Sequence, residues 1–157
     1  MKHNSHLNGL ILINKPAGFI CKDISRFIIR RFTKLKLGHV GTLDPLAEGV
    51  VPILVGSYTR LQDYFLEYPK EYLVELCLGF ETDTLDLEGK LVHTKSWKHV
   101  DQNMVLDVFK SLVGSIEQIP PMYSAVKYKS KPLYKYARSD SIDKVDVNGL
   151  KRKIHIF

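Results

Sequence analysis

In the stretch "GHVGTLDPLAEG", residues 38–49, the carboxylate of Asp44 stands among three glycines and a proline. His39 lies five positions before it. Two readings fit these residue types. In one, Asp44 is the N-cap of a helix that Pro45 opens, because proline suits a first helical turn and pushes the preceding residue toward extended geometry. In the other, the loop does chemistry or grips a ligand. Gly38, Gly41 and Gly49 then permit tight turns and close backbone approach, and His39 supplies a second polar group. A further pair of carboxylates, Asp83 and Asp86, sits in "TDTLDLEG" with the spacing of a DxxD metal site. No histidine or further carboxylate is suitably spaced beside them, so turn capping is the expectation.

These residues need elements to hold them. "LILIN" (10–14) is a short apolar run closed by the turn signal "KPAG", which reads as a buried strand. Asp23 then suits the cap of a helix through about Leu37, with Ile24, Phe27, Ile28, Phe32 and Leu35 on one face. Its other side carries Arg26, Arg30, Arg31, Lys34 and Lys36, a basic face leading straight into the Asp44 loop. "VVPILVG" (50–56) is a second apolar strand, and "TRLQDYFLEY" (59–68) has helical spacing.

"EYLVELCLGF" (71–80) reads as the clearest strand, with Tyr72, Val74, Leu76 and Leu78 on one side. A polar loop with a hairpin turn at Glu88–Gly89 follows it. "DQNMVLDVFKSLVG" (101–114) reads as a capped helix ending at Gly114. Strands are expected around Ile116 and from Tyr123 to Tyr128, with a short helix near Tyr134 to Arg138 and a last alternating strand in "KRKIHIF". Strands and helices mix without a regular βαβ rhythm. The expected class is therefore α+β, with a mixed, mainly antiparallel sheet and flanking helices.

The bulk composition narrows the function classes. The 157 residues suit one domain, and 45% hydrophobic with 25% charged residues excludes a disordered chain. A formal charge of +6 suits a polyanionic partner. Cys21 and Cys77 lie far apart with no CxxC spacing, which points to free thiols and a cytoplasmic setting. The first fifteen residues hold only five consecutive non-polar ones, too few for a signal peptide, and no run suits a membrane span.

The stretch "GHVGTLDPLAEGVVPILVGSYTRL" closely resembles the catalytic signature of the TruB family of tRNA pseudouridine synthases, which make pseudouridine-55 in the T loop. "LILINKPAGF" is similar to the family's N-terminal motif. "KEYLVELCLGFETDTLDLEG" is similar to its tyrosine-bearing strand and the loop after it, and "IPPMYSAVKYKSKPLYKYAR" to its next shared block. Together these cover nearly the whole chain, from about Asn8 to Phe157.

The resemblance implies the pseudouridine synthase fold, with Asp44 as the nucleophile on a flipped-out uridine. It implies that His39 contacts the nucleotide and that Tyr72 stacks on the base. Attack at C6 of uracil and attack at C1′ of the sugar both remain open. Either route splits a hard step into easier ones and needs no metal or other cofactor. The implied partner is the T arm of tRNA, bound by a monomer. In Tyr123–Arg138, tyrosines 123, 128, 134 and 136 interleave with Lys127, Lys129, Lys131, Lys135 and Arg138 and no acidic residue, a pattern that suits RNA.

Two departures accompany the resemblance. Ile20, Cys21 and Lys22 stand where the family usually has small polar residues. Family members also continue through a block whose arginine pairs with the catalytic aspartate, and bacterial members usually add a small RNA-binding domain. Residues 1–157 are therefore expected to be the N-terminal part of the catalytic domain, with weak or no turnover alone. Two other classes stay open: a non-catalytic module that helps tRNA fold, and a metal-free hydrolase of small substrates.

Overall fold

The alternation and turn signals produce two separate groups of elements in the computed structural model, which describes residues 7–32, 35–139 and 145–157. The chain divides into compact units at Met1–Leu73 and Val74–Phe157.

In the first unit, β1 (Gly9–Lys15) is followed by α1 (Cys21–Arg31), β2 (Leu37–His39) and β3 (Gly49–Val55). A 3₁₀ turn (Gly56–Leu61) and α2 (Gln62–Glu67) complete it. The sheet order is β1-β3-β2, and both pairings are antiparallel. β3 is central, which explains its nearly continuous apolar run: Val51, Ile53, Leu54 and Val55 are all buried. Cys21 and Ile28 of α1 pack on Val51 and Ile53, with Ile13, Ile24, Leu37 and Leu43 around them. Pro52 of β3 accepts a hydrogen bond from Val40 N–H at 2.9 Å but has no N–H to return. The β2 ladder therefore stops at His39, opposite Ile53, and the chain leaves the sheet as the Asp44 loop.

α1 is shorter than the expected Asp23–Leu37 helix. It starts at Cys21, with Asp23 in its first turn, and Leu37 is committed to pairing with Val55. Asp23 does not cap it; its carboxylate accepts from Arg26 instead, at 3.1 Å. Phe32 is the C-cap residue and Leu35 and Lys36 lie beyond the helix, while Lys34 falls outside the described residues. The expected basic face is thus reduced to Arg26, Arg30 and Arg31 on the helix itself.

The second unit holds β4 (Phe80–Thr82), β5 (Leu91–Thr94), α3 (Gln102–Leu112) and β6 (Gly114–Gln118). After them come β7 (Lys127–Tyr128), β8 (Lys131–Pro132), α4 (Leu133–Ala137), a 3₁₀ turn (Asn148–Leu150) and β9 (Arg152–Ile156). β4 pairs with β5, β6 with β9 and β7 with β8, each antiparallel. Asp101 caps α3 by accepting from Met104 N–H at 2.9 Å. The class is α+β with antiparallel pairing, as the mixed element order predicts.

Two predicted strands are corrected. Of Glu71–Phe80, only Phe80 enters a ladder, as the first residue of β4; residues 71–77 are irregular, and Leu73, Val74 and Leu76 are exposed. Alternation alone does not make a strand: its N–H and C=O groups need a partner, and residues 71–77 have none among the described residues. The Tyr123–Tyr128 strand is reduced to β7. The carbonyls of Ser124 and Val126 instead accept from Tyr134 and Leu133 N–H, at 3.1 and 2.8 Å. These are free donors of the first turn of α4, which any helix start must satisfy.

Candidate active site

The Asp44 loop leaves β2 and returns into β3, beside the end of β1, where Lys15 pairs with Gly49. Gly41 and Gly49 bracket it with φ of 71° and 123°, values that side-chain-bearing residues rarely adopt. Both glycines are therefore required by the backbone. Gly38 sits inside β2 and has no such requirement. No helix begins at Pro45. Asp44 C=O accepts from Ala47 N–H at 3.1 Å in an isolated turn, so the N-cap reading fails.

Asp44 is exposed, and its carboxylate has no hydrogen-bond or ion-pair partner among the described residues.

The backbone on either side of it is anchored. Leu43 packs its side chain on the core, and its N–H donates to Cys21 Sγ at 3.3 Å. Pro45 C=O accepts from Gly18 N–H at 2.8 Å and from Lys15 Nζ at 3.2 Å. Lys15 is wholly buried, and Nζ also donates to the carbonyls of Phe19 and Pro16, at 2.7 and 3.0 Å. Three acceptors offset the cost of removing an ammonium group from water. Sequence reading overlooked both residues: Lys15 looked like part of a turn and Cys21 like an unremarkable free thiol.

His39 is half-buried at the last position of β2, where the chain enters the loop. Its ring has no hydrogen-bond partner among the described residues, so the alternative of a histidine bonded within its turn is not realised. Tyr72 is 63% exposed in the irregular segment before residue 78. No hydrogen bond or ring contact joins it to Asp44 or His39 among the described residues. His39 and Asp44 thus share one end of the first sheet, while Tyr72 stands apart from any ladder.

Two other singled-out groups lie in the second unit. Asp83 Oδ1 accepts from Lys90 N–H at 2.8 Å, and Asp86 Oδ1 accepts from Glu88 N–H at 2.9 Å and Thr84 Oγ1 at 2.6 Å. Both carboxylates are turn caps, as expected. In the tyrosine–lysine segment, Lys131 lies 4.4 Å from the Tyr136 ring centre and Lys129 5.3 Å from that of Tyr128. Arg138 lies 5.7 Å from the centre of Tyr134. Tyr136 O–H donates to Tyr128 C=O at 3.1 Å, with the two rings edge to face. Lys127, Lys129, Lys135 and Arg138 keep exposed, so the segment offers cations set on ring faces.

The Asp44 loop and its antiparallel α+β framework lie within a stretch that matches a known class by sequence. The family model described as TruB family pseudouridylate synthase (N terminal domain) matches residues 29–157, and the chain belongs to that family. The tRNA pseudouridine synthase B of Syntrophotalea carbinolica is 43% identical to it over 151 residues, and that of Bacillus subtilis 44% over 151. The protein of the same name from Clostridium kluyveri is 41% identical over 151 residues. Each match covers 96% of this chain and 48–50% of the relative, so the chain spans about half the length of these curated relatives.

Proposed function

We propose that this chain is the N-terminal part of the catalytic domain of a tRNA pseudouridine synthase, and that Asp44 is its nucleophile. The substrate is uridine 55 in the T loop, and the enzyme acts as a monomer in the cytoplasm. The reaction breaks the bond from N1 to C1′ and forms one from C5 to C1′; C5 gives up its proton and N1 gains one. A transient bond from the Asp44 carboxylate tethers the base, through C6, or the sugar, through C1′, to the protein while the base turns, and it breaks again to release the product. The uridine must leave its stack to reach a carboxylate on a protein loop, and flipping accomplishes that. His39 contacts the extruded nucleotide, and Tyr72 stacks on its base.

The observation that carries this reading is the exposed, unpartnered Asp44 carboxylate on a loop whose flanking peptides are anchored. Family membership and the names of the relatives support the substrate class. The net charge of +6 and the ring-backed cations of residues 127–138 support a polyanionic partner. Incubating the full-length protein with a T-arm stem-loop RNA and assaying for pseudouridine tests it. Product is expected, and its absence at every enzyme concentration contradicts the proposal.

A second reading is a non-catalytic module that helps tRNA fold, which the net charge of +6 and the ring-backed cations of residues 127–138 would serve equally well. Under that reading Asp44→Asn leaves the effect on RNA intact. A hydrolase of small substrates is separated from both by salt. RNA affinity falls steeply with added salt because phosphate contacts release counterions, while binding of a small neutral substrate does not.

A further inference from the structure

The nucleophile's carboxylate is free, yet the chain beside it is held at two points by side chains the reaction does not consume. Cys21 Sγ accepts from Leu43 N–H at 3.3 Å and donates to Leu43 C=O at 3.7 Å. It therefore grips the peptide before Leu43 and the one joining Leu43 to Asp44. Lys15 Nζ and Gly18 N–H both donate to Pro45 C=O, the first carbonyl after Asp44. Pro45 fixes its own φ and confines Asp44 to extended geometry. With Leu43 C=O held on one side and Pro45 C=O on the other, little freedom is left to Asp44 beyond its side-chain torsions.

We propose that Cys21 is a positioning residue that clamps the chain entering Asp44 and holds its carboxylate where the flipped uridine arrives, on a loop whose far side Lys15 and Gly18 anchor at Pro45. This rests on the reading of Asp44 as the nucleophile. Both anchors are buried, Lys15 at 0% and Cys21 at 2% exposure, so neither touches RNA. The role of Cys21 is to keep the attacking oxygen in place. A misplacement near 1 Å costs on the order of a hundredfold in rate. Cysteine fills this position because the site needs a small group that both accepts and donates, and serine meets the same need.

The test compares Cys21→Val, Cys21→Ser and Lys15→Met in the full-length protein. Cys21→Val keeps the apolar packing and removes both hydrogen bonds; it should lower kcat for pseudouridine formation about tenfold or more with KM nearly unchanged. Cys21→Ser should restore most of kcat. Lys15→Met strands three carbonyls and is the structural control: it should lower the denaturation midpoint. A folding-independent readout accompanies them. Exchange of the Leu43 amide proton should quicken about tenfold or more in Cys21→Val, while the amides of Val51 and Ile53 keep their protection.

Parental kcat in Cys21→Val, or a change confined to KM, overturns the proposal. So does parental exchange at Leu43. Failure of the unaltered protein to make pseudouridine is a different result. It overturns the role of Asp44, and the clamp is then judged on Leu43 exchange alone.

Discussion

The Asp44 loop and the tyrosine–lysine segment 123–138 both present polar groups to solvent, yet opposite means hold them. The loop is anchored from beneath: Leu43 packs on the core, and the buried Cys21 and Lys15 bond its backbone. The segment is held within itself, by the β7–β8 ladder, by cations against half-buried tyrosine rings and by Tyr136 O–H on a backbone carbonyl. Within it, Leu133 is the one buried side chain among the described residues. The difference suits the tasks proposed for them. A nucleophile must be fixed to a fraction of an ångström, whereas phosphate contacts tolerate looser geometry.

Substitutions can break this comparison or sharpen it. The largest effect is expected from Ile53→Ala, which opens a cavity under the loop at a residue with no exposed surface. It should destabilise the chain by about 3 kcal/mol, read by chemical denaturation. A loss below about 1 kcal/mol would mean that the core does not support the loop. Tyr136→Phe removes a single half-buried hydrogen bond and should cost about 1 kcal/mol. A much larger cost would show that the segment, too, is anchored by packing. Lys135→Ala, at an exposed position, should leave folding intact and lower the salt slope of RNA binding by about one. An unchanged slope would remove Lys135 from the phosphate contacts.

Much of this arrangement was legible from residue types. The apolar run 50–55, the Asp101 cap and the turn roles of Asp83 and Asp86 depend on neighbours within a few positions, and they formed as read. The roles of Lys15 and Cys21 depend on closing distances of 30 and 22 residues, which no local pattern reveals. "NKPAG" looks like a surface turn until the Asp44 loop folds over its lysine. Residues 71–77 erred the other way: their alternation is real, but a strand is a relation between two segments. The boundary of α1 was misplaced because Leu35 continues the helical stripe past the helix's true end, while Leu37 is taken by its pairing with Val55.

The covalent role of Asp44 faces its most direct trial in the Asp44→Asn variant of the full-length protein, an amide of nearly the same size that cannot attack. Pseudouridine formation on a T-arm RNA should fall to background while affinity for that RNA stays within about twofold, since no phosphate contact is lost. Turnover by the asparagine variant at the parental rate would contradict the account.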